Sequence, residues 1–258
     1  MIENNYLEIN IGKLYMNELK SITGDNRLFT YKVAHDGGSA PNPEGGICTL
    51  AICKPKIRSV AKPGDVVVGF GCMNDARRIV YCMVVKDSLP WNEYIARCNS
   101  NGSDSIKGKI PTSNKHQGDC IWRDANNYEE ARKSWSRHDG REDFERDVRN
   151  RDKENNVLIG DTFWYFGSPS KNSIFIPADN DLEGIIPRAQ GHRSSLNSEM
   201  NFREKFVKFF NEQLIENKIT KPGIWGTPSI SPETADERTC SGCRTAEKES
   251  DLTEEELD

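Results

Sequence analysis

The chain of 258 residues is long enough for one large domain or two small ones, and with 35% hydrophobic and 29% charged residues it is polar for a compact fold. No apolar run approaches the roughly 20 residues that span a bilayer, and the N-terminus lacks a basic n-region and an apolar h-region, so the expectation is a cytoplasmic protein with no membrane partner. The net charge of −5 is uneven: residues 233–258 hold ten acidic and three basic side chains (net −7), leaving 30 acidic and 32 basic (net +2) in residues 1–232. That body is too neutral to hold a long duplex by phosphate neutralisation alone, whereas recognising a single nucleotide or base needs a pocket and not a basic patch.

Residues 4–22 show weak helical periodicity through Leu7, Ile11, Leu14 and Leu19, a leading helix or cap over about 1–26. Residues 27–34 (RLFTYKVA) and 47–53 (ICTLAIC) read as strands. Between them lies HDGGSAPNPEGG, residues 35–46, with four glycines, two prolines, one imidazole and two carboxylates. Glycines permit close backbone approach to a ligand, and His35 and Asp36 supply titratable chemistry, so the loop is a candidate site wall. Residues 66–72 and 78–86 predict a β-hairpin, and the glycines on either side of Phe70 suggest a floor for a ligand. Residues 90–98 predict a helix with Trp91, Tyr94 and Ile95 on one face.

Residues 99–118 are rich in Ser, Asn, Gly and Lys and read as an exposed insertion. A short strand is expected at 119–123 (DCIWR), followed at 126–156 by a densely charged segment that suits a solvated helix or an inserted lid. In residues 157–167 (VLIGDTFWYFG), alternation sends Phe163 and Tyr165 to one face and Trp164 and Phe166 to the other, one face for the core and one free to stack on a planar ligand. Residues 173–177 predict a strand, 191–194 (GHRS) a polar loop, 201–217 an amphipathic helix burying Phe202, Phe206, Phe209, Phe210 and Leu214, and 229–258 a disordered acidic tail.

This order of elements predicts one α+β domain over 27–228, built on a mainly antiparallel, possibly barrel-like sheet flanked by a few helices. There is no G-x-G-x-x-G after a strand, no Walker A loop and no H-E-x-x-H, and no Ser or Cys is read in a nucleophile elbow. Cys48, Cys53, Cys72 and Cys82 are read as apolar residues within strands, and Cys240-x-x-Cys243 lacks the second ligand pair that zinc needs, so neither a metal nor a cofactor is expected.

The blocks HDGGSAPNPEGGICTLAICKPKIR, AKPGDVVVGFG, GDCIW, VLIGDTFWYFG and GHRS, in this order, resemble the second type of nucleotide modification associated domain, over roughly residues 27–215. The segment from Gly64 to Tyr94 is also faintly similar to the PUA-like barrels that read modified bases. The resemblance implies a setting of nucleic-acid modification or phage defence. Two functions follow. The favoured one is a binding module for a nucleotide or modified base, free or in a single-stranded or flipped-base context. In it Trp122, Trp164, Phe70 or Tyr165 stacks on the base, worth about 1–3 kcal/mol, and Asp36, Ser39, Asn42, His192 and Arg193 read its polar edge. The alternative is an enzyme in which His35 or His192 acts as general base with Asp36; a scaffold role is the third reading.

Overall fold

The computed structural model describes residues 27–131, 138, 140–150, 153–178, 180–188, 192–193 and 201–228. The leading helix, the acidic tail and the Cys240–Cys243 pair lie outside the described residues.

A seven-stranded sheet is built from β1 (Leu28–Lys32), β3 (Val66–Phe70), β4 (Arg78–Val84), β9 (Phe163–Tyr165), β10 (Ile174–Phe175), β11 (His192–Arg193) and β12 (Gly223–Ile224). Its order is β11-β1-β3-β4-β9-β12, with β10 also paired to β4. A second sheet runs β2 (Cys48–Leu50), β8 (Asn156–Gly160), β5 (Asp87–Pro90), and β6 (Arg149–Asn150) pairs with β7 (Lys153–Glu154) in a small ribbon. Five helices accompany them among the described residues: α1 (Pro55–Val60), α2 (Trp91–Asn99), α3 (Tyr128–Ala131), α4 (Arg141–Val148) and α5 (Phe202–Glu216).

The fold is α+β and most strand pairs are antiparallel, as expected, but the large sheet is mixed and does not close into a barrel. β1 and β3 run parallel, as do β9 and β12. A parallel pair needs a crossover, and residues 33–65 provide it. Within that crossover β2 leaves for the second sheet, so the first sheet stays open. The expected hairpin is present as β3 and β4.

Both faces of both sheets are covered. On one side of the large sheet, Val66, Val68, Cys82, Trp164 and Phe166 pack against Phe206, Phe210 and Leu214 of α5. On its other side, Tyr31, Val67, Tyr81, Phe163 and Tyr165 meet Cys48, Leu50, Leu158 and Ile57 of the second sheet and α1. The far face of the second sheet is closed by Trp91, Trp122, Phe144 and Val148. Strands buried on two faces read as continuous apolar runs. The aromatic run 163–166 therefore has no free face: Trp164 meets Phe210 edge-on at 5.4 Å between centroids, and Phe166 faces the same ring.

Two further expectations change. Residues 119–123 form no strand, and the segment 99–118 is not wholly exposed, because Lys109 is fully buried and donates to the Asn42 and Ile47 carbonyls and to Asn42 Oδ1. The charged segment 126–156 is also tied down. Phe144 and Val148, four apart on α4, bury one stripe of it and take Asp147 inside with them.

Candidate thiol site

Strand β2 ends at Leu50, and three residues on the chain turns at Cys53. Cys53 and Lys54 both take left-handed backbone (φ 59° and 45°), and Pro55 then opens α1. Two such residues in succession turn the chain sharply and project a side chain at a strand-to-helix corner, at a cost on the order of 1 kcal/mol each. The Cys53 side chain, partly exposed, sits 3.6 Å by its Sγ from His138 Nε2. The other imidazole nitrogen, Nδ1, is 3.0 Å from Asp147 Oδ2. Nδ1–H donates to the carboxylate, which leaves Nε2 to share a proton with the thiol; this assignment follows from the partners.

Asp147 is held from all sides. Its Oδ1 accepts the Cys53 N–H at 3.1 Å, its Oδ2 accepts the Trp122 indole N–H at 3.2 Å, and Trp91 donates to its backbone carbonyl at 2.9 Å. The Arg58 guanidinium, fully buried, lies 3.9 Å from Oδ1. It donates to the carbonyls of Cys53 (2.7 Å), Asn156 (2.9 Å) and Asp147 (2.8 Å), stapling the corner, the second sheet and α4 to one cation.

The electrostatics follow from this packing. Burial alone would lower the His138 pKa, but Cys53 and the Asp147 carboxylate outweigh it and hold it well above the usual histidine range. Burial alone would raise the Asp147 carboxyl, but His138, Arg58 and Arg146 hold it below the ordinary carboxylate range. A thiol, an imidazole and a carboxylate that orients the imidazole thus stand in series. Among the described residues no group of three or more His, Cys, Asp or Glu is placed to hold a metal.

Of the residues expected from sequence, Asp36 and Tyr165 meet: the Tyr165 hydroxyl donates to Asp36 Oδ1 at 2.7 Å, both buried. Burial, then the Asp36 charge, pushes the Tyr165 hydroxyl far up. His35 and Ser39 are partly exposed on the same loop. Trp122 reaches the site, but as a buried support for Asp147 and not as a stacking platform. Asn42 is fully buried and serves Lys109, while Phe70 and Trp164 are core. The backbone of His192 pairs with Tyr31, and that of Arg193 with Thr30.

Cys53, His138 and Asp147 were missed by the sequence reading, which placed the cysteine inside a strand and the other two in a solvated segment. The available signals were Cys-Lys-Pro closing an apolar strand, and the Phe144/Val148 pair marking a buried stripe beside Asp147.

The fold and the site together define a two-sheet α+β protein with a cysteine, histidine and aspartate aligned at a strand-to-helix corner. Its sequence matches the family model of nucleotide modification associated domain 2 over residues 25–228. The chain belongs to that family, which sets it in nucleotide modification. No curated protein and no solved structure matches it. Among the described residues no helix is long and apolar enough to cross a membrane.

Proposed function

We propose that this protein is a thiol-dependent enzyme acting on a nucleotide or a modified base, of hydrolase or transferase type. The alignment of Cys53 Sγ, His138 Nε2 and Asp147 Oδ2 carries this reading. His138 holds the proton of the Cys53–His138 pair as Cys53 Sγ bonds to an electrophilic carbon of the substrate, and the imidazolium gives that proton to the departing group or to the adduct. Asp147 keeps the ring in its tautomer throughout. A base placed in this way contributes on the order of 10² to 10⁴ in rate. The Cys53 N–H is donated to Asp147, so the groups that stabilise charge on the substrate come from elsewhere. Binding without chemistry is the second reading, and it rests on the buried Asp36–Tyr165 pair.

The test is alkylation of Cys53 by iodoacetamide, read at the peptide level by mass spectrometry, beside chromatography of nucleotides and modified nucleosides incubated with the protein. The expected result is a rate that falls at least about tenfold in His138→Ala, and turnover that is absent in Cys53→Ser. Equal alkylation rates in wild type and His138→Ala would remove the nucleophile role.

A further inference from the structure

Behind the thiol lies a second polar group that the triad does not use. Strand register places Tyr31 opposite Gly69, Gly69 opposite Tyr81 and Tyr81 opposite Tyr165, so three tyrosines and one glycine form a single row across β1, β3, β4 and β9. All three tyrosines face the second sheet. At about 4.8 Å per strand, Tyr31 and Tyr81 should stand roughly 10 Å apart. Their ring centroids are 6.0 Å apart, because Gly69 leaves the space between them open and the Tyr81 ring fills it. A Cβ on Gly69 would lie 2.5 Å from Tyr81 Cε1.

The row carries polar atoms that the rest of the fold leaves to one another. The Tyr31 and Tyr81 hydroxyls, each at most 2% exposed, stand close enough to pair with each other, and no third group meets either of them. Each hydroxyl can donate once and accept twice, so a pair that meets only itself keeps a free donor and free acceptors for a group from outside. Tyr31 lies on the side of the thiol: the ammonium of Lys54, the residue after Cys53, overlies its ring at 5.4 Å, and burial with Cys53, Cys48 and Asp36 nearby holds its hydroxyl neutral. Tyr165 adds a hydroxyl already directed to Asp36.

We propose that Tyr31, Tyr81, Tyr165 and Asp36 form the recognition subsite beside Cys53, and that it takes an uncharged planar group bearing both a hydrogen-bond donor and an acceptor, the chemistry of a nucleobase's amide edge. Phenol hydroxyls donate and accept, and Asp36 accepts. The Asp36 carboxylate held on Tyr165 disfavours a phosphate or carboxylate there. Burial keeps all three phenols neutral, so recognition is by hydrogen bonding and is insensitive to pH around neutrality. The proposal deepens the enzyme reading above by naming the part of the substrate that is held.

The experiment is protection of Cys53 from iodoacetamide by each of the four deoxynucleosides, with deoxyribose 5-phosphate as the sugar-phosphate control, and calorimetric titration of the same compounds. At least one nucleoside should protect wild type and release heat, the sugar phosphate should do neither, and Tyr31→Phe and Tyr81→Phe should each weaken binding and protection at least tenfold. Absence of both protection and heat for every nucleoside overturns the subsite while leaving the His138-dependent thiol intact. Equal protection by the sugar phosphate overturns it too. Retained affinity in both variants, with an unchanged or raised melting temperature, would reduce the hydroxyls to water-filled core groups. Should the variants fail to fold, the wild-type comparison of nucleosides with sugar phosphate still decides. If alkylation proves independent of His138 yet a nucleoside binds and the Phe variants lose it, the enzyme reading falls and the subsite stands.

Discussion

Replacing Asp147 with Asn perturbs the site through its chemistry and its support together. The carboxylate has one oxygen on His138 Nδ1 and the Trp122 indole, and the other on the Cys53 N–H. If the amide oxygen of Asn keeps the Cys53 N–H, its NH₂ faces two donors. The imidazole can respond by moving its proton to Nε2, where it can no longer accept one from Cys53. Thiol reactivity toward iodoacetamide should then fall on the order of 10²-fold or more. Stability falls as well. Opposite charges 3.9 Å apart, as for Arg58 and Asp147, attract by ~4 kcal/mol at an effective dielectric of 20, and breaking a buried pair costs about 3–5 kcal/mol. The lower end applies, because Arg58 keeps its carbonyl partners. The pH profile should change too. Asp147, with a depressed pKa, adds stability that is present above its unfolded value near ~3.9 and is lost as pH falls through its folded one. His138, with a raised pKa, adds stability that is complete below ~6.5 and is lost as pH rises through its folded value. Both limbs should flatten in the Asn variant, read as urea midpoints from pH 3 to 9. A variant that loses stability but alkylates at the wild-type rate would refute the alignment as a working unit.

Gly69→Ala places a methyl 2.5 Å from the Tyr81 ring and 2.6 Å from Val33 Cγ2, and should destabilise by about 1–3 kcal/mol in urea denaturation through overpacking. Lys109→Met strips three hydrogen bonds from Asn42 and Ile47 and leaves the buried Asp119 without its cation. A loss of about 3–5 kcal/mol is expected, with faster amide exchange across residues 105–118. Phe210→Ala removes the ring that Trp164, Phe166 and Phe206 share, and should cost about 3–5 kcal/mol by thermal or urea unfolding without changing Cys53 alkylation under native conditions. Lys86→Ala breaks an ion pair with Asp161 between exposed side chains, so its urea midpoint should correspond to a change below about 0.5 kcal/mol.

Local patterns carried the elements that depend on their own residues. The hairpin of β3 and β4 was legible because two apolar runs flank a short polar turn, and α5 because its phenylalanines recur at helical spacing; three of the five expected buried positions, Phe206, Phe210 and Leu214, are fully inside, while Phe202 and Phe209 lie at the rim. What failed was long-range. Nothing in ICTLAIC indicates that β2 leaves the strands before and after it to join β8, more than a hundred residues away. The thiol site failed for the same reason: Cys53 reads as one more apolar residue until His138 and Asp147 are brought across 85 and 94 positions of chain. The charge density of 126–156 concealed Asp147, because composition averages over a helix whose buried and wet faces differ. Asp36 and Tyr165, 129 positions apart, were singled out separately, one for its loop and one for its strand, and only the fold joins them.

The Arg58 staple makes shape and reactivity hard to vary apart. One guanidinium fixes the carbonyl of Cys53, that of Asp147 and that of Asn156, so a substitution at position 58 or 147 acts on folding and on chemistry at once. Loss-of-function surveys would rank these two positions highest for that mixed reason. His138, which keeps 13% of its side chain exposed, is the position where the partner of the thiol can be removed with the frame left standing. The arginine–aspartate pair is thus architecture in its own right, and the histidine is an addition to it.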